Sequence, residues 1–227
     1  MTELNKTNIF IHNIISKIQK TVLQNTKIIT ALLVLLVFFT TIFFCYLQYQ
    51  NNISKKFSAL LHQAIVLQET KPLEAKQKII DIYQNNKTPI NIKQIAGLRY
   101  ASTIIDTNKK EAIEIYQQLI KCSSCDLYLQ ELPKLLLAKT LISQQSSSEN
   151  IKNISTQLQN LESSSRLFRY HIAEQRGYFA ITQNNLAEAY QIFESIAKNP
   201  DTEKNLKNRA ENLLSFIINK GYQPKSS

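Results

Sequence analysis

Tryptophan is absent from this chain, and its 227 residues include only three Gly, one Met, three Cys and three His. Gly97, Gly177 and Gly221 lie too far apart to form a glycine-rich phosphate loop. With only five Pro as well, the chain is poor in the turn breakers that a β-rich fold needs. Few runs alternate β-branched and polar residues, so the expected fold class is all-α. His12, His62 and His171 are scattered. No HExxH, no Ser-His-Asp order and no paired-carboxylate site appears. The expectation is a protein that is not an enzyme, with no catalytic, cofactor-binding or metal-ligating residue and no cofactor.

Charge is missing between Lys27 and Lys55. Within that gap, Ile28 to Leu47 (IITALLVLLVFFTTIFFCYL) has only Thr30, Thr40, Thr41, Cys45 and Tyr46 as polar side chains. A helix rising about 1.5 Å per residue needs roughly 20 apolar residues to cross a bilayer core about 30 Å thick. In lipid the backbone must satisfy itself, which forces the helix. A buried core helix would carry a polar face over this length. A cleaved signal would end in a small-x-small site, whereas Gln48, Tyr49, Gln50, Asn51 and Asn52 follow here. A lipoprotein signal needs small residues before its cysteine, and Phe43 and Phe44 precede Cys45. The reading is one uncleaved anchor in contact with the lipid bilayer through residues 28–47. The domains are then a short cytoplasmic segment over 1–27, a transmembrane helix over 28–49 and a helical domain over 50–227.

The net charge is +10. The lysines are scattered, without a basic face, interleaved aromatics or a nucleic-acid-binding motif, so no nucleic acid partner is expected. Lys17, Lys20 and Lys27 precede the anchor closely and Lys55 and Lys56 follow it. That excess places the N-terminus in the cytoplasm and the large domain outside. Before the anchor, Ile11, Ile14, Ile15, Ile18 and Val22 share one helical face, with Lys17 and Lys20 on the other. Such a helix can lie on anionic lipid or on a partner; the plain alternative is a tail that helps fix topology.

The part after the anchor repeats. Ala64, Ala101 and Ala138 are 37 residues apart, and Gly177 follows after 39. A second small residue recurs at Ala75, Ala112 and Ala189, with a large apolar one four residues later at Ile79, Tyr116 and Phe193. The third unit has Glu149 at the second small site but keeps Ile151, Ile154, Leu158 and Leu161 at helical spacing. Two helices cross closely where a small residue sits at the contact, and a large side chain on the next turn fills the groove of the neighbouring hairpin. Units that cannot bury their faces alone stack on one another. The pattern predicts helices over 54–69, 72–85, 90–105, 109–121, 126–143, 148–163, 165–183 and 186–198, with the 126–143 helix bending or starting late at Pro133. A capping helix over 201–219 buries Leu206, Ala210, Leu213, Leu214, Ile217 and Ile218 and ends near Gly221. A frayed tail follows from Gln223.

The stretches LRYASTIIDTNKKEAIEIY (98–116) and AEQRGYFAITQNNLAEAYQIF (173–193) resemble degenerate tetratricopeptide repeats. Gly177 resembles the motif's small site, Ala189 its second-helix alanine, Phe193 its aromatic and Pro200 its closing proline, while Asn184 stands where a turn glycine is usual. The whole arrangement resembles the ancillary SecYEG translocon subunit family. That resemblance implies a tetratricopeptide-repeat-like α-solenoid of about four hairpins plus a capping helix, held at the bacterial inner membrane with its domain in the periplasm. It implies protein partners, translocon subunits or periplasmic chaperones among them, and no catalytic residues.

One pair of residues offers chemistry. Cys122-Ser-Ser-Cys125 joins two predicted helices with no βαβ pattern around it. Zinc would need a second pair of ligands. In an oxidising compartment Cys122 and Cys125 can close as a local disulfide; a redox helper is the remaining alternative. His171 lies among Arg166, Arg169, Tyr170, Glu174 and Arg176, which reads first as a salt-bridged helix surface. Helical repeat domains bind extended peptides along their first helices, and Arg99, Tyr100, Arg169, Tyr170 and Arg176 are the candidate partner-binding residues. The expected function is a membrane-anchored interaction scaffold. The alternative is a structural component of an envelope assembly.

Overall fold

A computed structural model describes residues 26–143 and 148–224. The amphipathic pattern over residues 11–22 and the last residues of the tail lie outside it. Among the described residues all regular structure is helical. The helices are α1 (Thr26–Leu67), α2 (Pro72–Gln84), α3 (Ile90–Ile104), α4 (Lys109–Ile120), α5 (Leu127–Ile142), α6 (Ser148–Ser164), α7 (Arg169–Thr182), α8 (Leu186–Lys198) and α9 (Lys204–Asn219). The chain divides into two units, Met1–Ile53 and Ser54–Ser227.

In the first unit, α1 is long and apolar enough to cross a membrane, and none of its most apolar window is buried in protein. Its hydroxyls turn inward on the helix. Thr30 Oγ1 donates to the Thr26 carbonyl at 2.9 Å, and Thr40 and Thr41 both donate to the Val37 carbonyl at 2.9 and 2.8 Å. The threonines therefore present no unsatisfied hydroxyl to an apolar surrounding. The sequence pattern predicts a break between residues 49 and 54, yet α1 runs on to Leu67. Gln48 to Ser54 contains no Gly or Pro, and asparagine is only a weak helix former rather than a breaker.

In the second unit, Phe57, Leu61 and Ala64 form the buried face at the end of α1. From α2 to α9 each helix packs on the next, and α3, α5, α7 and α9 also touch in succession. The small residues predicted to lie at crossings are buried. Ala64, Ala75, Ala101, Ala112, Ala138 and Ala189 have no exposed surface, and Ile79, Tyr116 and Phe193 are equally enclosed. A Cβ on Gly177 would lie 2.5 Å from Phe193 Cζ. Phe193 thus fills the space over the glycine of its own helix pair. Gly97, outside the predicted repeat positions, does the same work: a Cβ there would come within 2.8 Å of the Tyr83 ring and 2.9 Å of Leu119.

The boundaries differ from expectation in three places. Pro133 neither delays nor ends its helix, because α5 already starts at Leu127 and carries the proline inside it. Helix α7 starts at Arg169 rather than 165, since Ser165 is used as a turn whose hydroxyl accepts from the Phe168 N–H at 3.1 Å. In α9, Leu206, Ala210 and Ile217 are buried and Leu213 and Leu214 partly so, while Ile218 is exposed. Two turns share one geometry. Asn184 has φ 56°, with Asn184 N–H donating to Ile181 and Asn185 N–H to Ala180. Gly221 has φ 100°, with Gly221 N–H donating to Ile218 and Tyr222 N–H to Ile217. Both are Schellman endings, in which a left-handed residue satisfies the last carbonyls of a helix.

Side-chain bonds recur at a constant offset. Tyr83 reaches Gln118, Asn91 reaches Asp126, and Glu174 reaches Arg209, each 35 residues on. Lys109 reaches the Ser143 carbonyl and Glu131 reaches Ser165, each 34 residues on. One helix pair is thereby bonded to the matching position of the next.

Candidate functional site

Of the five residues predicted to meet a partner, Arg99 and Tyr100 lie on α3 and Arg169, Tyr170 and Arg176 on α7. Arg99 and Arg169 are exposed. Tyr100 is half-buried and donates to Glu111 Oε1 at 2.5 Å. This bond, then burial and the charges of Glu111 and Tyr83, pushes its phenol up to about 12. Tyr170 accepts from Asn199 Nδ2 at 2.7 Å. Arg176 Nε stands 2.8 Å from Glu162 Oε2, with Glu188 Oε1 3.8 Å from Nη1. Tyr100, Tyr170 and Arg176 therefore tie helices together. His171 stacks edge-on to Phe168, and on the same helix Glu174 pairs with Arg209 and Arg176 with Glu162.

The polar residues that hold the unit together were hidden in the pattern. Glu131 is buried on α5. It accepts from Lys134 Nζ at 2.8 Å, Ser165 Oγ at 2.6 Å and the Arg166 N–H at 2.8 Å. Burial alone would raise its carboxyl, but these donors and the Lys134 charge outweigh burial and hold it below the ordinary value. Glu174, also buried, takes both arms of Arg209 at 2.7 and 3.0 Å. Sequence spacing carried one signal for them: each lies 34 or 35 residues from its partner.

Cys122 and Cys125 are paired as a disulfide, with Cα atoms 5.8 Å apart. Both precede Asp126, the residue that caps α5. A reactive CxxC cysteine gains its thiolate from a helix N-terminus; Asp126 is the N-cap residue of α5, but its carboxylate makes no capping hydrogen bond and accepts from Asn91 instead. Asn91 and Asp126 bond reciprocally, at 2.8 and 3.3 Å, and Gln130 Nε2 donates to the Cys125 carbonyl. The loop is thus held on both sides. Among the described residues no group of three or more His, Cys, Asp or Glu side chains could hold a metal ion.

Beside this loop lies a groove of about 360 Å³ lined by residues from Tyr83 to Ser124, among them Ile90, Lys93, Gln94, Leu119 and Lys121. Gln94 is buried and donates from Nε2 to the Leu119 carbonyl at 3.2 Å. A carbonyl only accepts, so this bond fixes the amide's orientation. Gln94 Oε1 is left without a partner. An unsatisfied buried acceptor costs about 1–3 kcal/mol, so its presence at the base of a groove is informative. A second, smaller cavity of about 210 Å³ lies among Leu60, Gln63, Lys78, Asp81 and Ile82.

Compared with known protein families, curated proteins and solved structures, this chain matches none.

Proposed function

We propose that this protein is a membrane-anchored scaffold that holds a protein partner beside a bilayer. The observation that carries the reading is α1, whose apolar stretch is wholly exposed and whose threonine hydroxyls are satisfied within the helix. Such a surface is tolerated in lipid and costly in water. The second unit supplies the binding part. The 34- and 35-residue bond offset and the buried alanines support a repeat domain like the tetratricopeptide solenoids. Placement at a bacterial inner membrane, with the domain in the periplasm near translocon subunits or chaperones, rests on the resemblance described above and on the lysine excess before the apolar stretch of residues 28–47. A structural role in an envelope assembly is the second reading, and the exposed Leu127, Tyr128 and Leu167 favour a surface that meets another protein in either case.

The test is purification of the full-length protein in mild detergent, with mass spectrometry of what accompanies it. Translocon subunits or periplasmic chaperones, lost when residues 55–227 are removed, are the expected result. Recovery of the protein alone, or self-association without a partner, would contradict the scaffold reading and favour the structural one.

A further inference from the structure

We propose that the groove beside the Cys122–Cys125 loop is a binding site for a short acidic peptide segment. The proposal deepens the scaffold reading by naming where and what the second unit binds. Three features converge. Gln94, buried on the groove wall, leaves its Oε1 acceptor without a partner, and a ligand N–H or O–H that reaches it would complete its hydrogen bonding. Lys93 and Lys121 line the same groove, no carboxylate lines it, and neither lysine is ion-paired among the described residues. Ile90, 45% exposed, and Leu119 supply apolar contact.

An extended peptide meets all three demands at once. One backbone N–H bonds Gln94, a carboxylate side chain lies between the lysine ammonium groups, and an apolar side chain covers Ile90 and Leu119. A simple inorganic anion would satisfy the lysines but leave the acceptor bare. A neutral apolar ligand would leave both unmet. The volume lies within the range of small-ligand pockets, about 300–1,000 Å³. Part of the wall is Cys122, Ser123 and Ser124, so the disulfide and the Asn91–Asp126 pair hold the site in shape before any ligand arrives.

Fluorescence anisotropy tests this on the full-length protein in nanodiscs of uncharged lipid. The probe is a labelled peptide of alternating leucine and glutamate, compared with its glutamine and lysine counterparts. The glutamate peptide is expected to bind about tenfold more tightly than the glutamine one, a factor worth about 1.4 kcal/mol. The double variant Lys93→Gln, Lys121→Gln should abolish that preference. Gln94→Met should weaken the glutamate and glutamine peptides alike, again about tenfold. Equal binding of the glutamate and glutamine peptides, or a preference that survives the double lysine variant, would overturn the proposal. If Gln94→Met lowers the melting temperature, the lysine variant decides alone. Partners that still co-purify with a protein whose groove ignores the peptide would sink the groove and leave the scaffold reading standing.

Discussion

Gly177 and Phe193 act as one feature. The ring occupies the space a Cβ would need, 2.5 Å from where that atom would sit. Gly177→Ala is therefore expected to cost about 1–3 kcal/mol through overpacking, read as a lower denaturant midpoint. Adding Phe193→Leu should recover part of that loss, and simple additivity of the two changes would argue against the contact. Glu131 makes a second prediction. Its folded-state carboxyl titrates below the ordinary value of 4.5, so the stabilisation is full above that value and is lost as pH falls through the lower one. Glu131→Gln should lower stability at pH 7 by about 1–3 kcal/mol and flatten the acid limb of the stability profile. A variant with an unchanged profile would show that other carboxylates set the limb. Tyr100 runs the opposite way. With its pKa raised to about 12, it stabilises the fold below pH 10 and that contribution fades as pH rises from 10 to 12. Tyr100→Phe should show less alkaline loss across that window than the parent.

Helix endings explain what could and could not be read in advance. Asn184 and Gly221 close α7 and α9 through the same left-handed geometry. Asn184→Gly should be neutral or mildly stabilising, whereas Asn184→Ala should cost about 1 kcal/mol because alanine resists that backbone region. Thermal melts of the two variants separate the cases. The starts of α4 and α8 follow one rule, since Asn108 and Asn185 each accept from the N–H of a glutamate three residues on and donate to its carboxylate. These local signals were legible, as were the buried alanines, because each depends on nearby residues only. The continuity of α1 across residues 50–53 was not, since a polar stretch such as Gln48 to Asn52 fits helix and loop alike. Nor were Gln94, Glu131 and Glu174 legible as buried polar residues. Their partners lie one repeat away, and a polar letter in a sequence reads as surface until the helix that covers it is known. Of the candidate arginines and tyrosines, Tyr100, Tyr170 and Arg176 have partners inside the fold, which the sequence did not signal either.

For the whole molecule, the proposal stands on the apolar stretch of α1, residues 28–47, crossing a bilayer. The exposed apolar stretch and the self-satisfied threonines support that proposal, and the lysines flanking residues 28–47 supply the proposed orientation. The most direct measurement is protease digestion of intact bacterial spheroplasts carrying this chain with a different epitope at each end. The account predicts that both epitopes begin in the membrane fraction, that the C-terminal one is removed and that the N-terminal one survives. Recovery of the chain in the soluble fraction, or loss of the N-terminal epitope with survival of the C-terminal one, would contradict it.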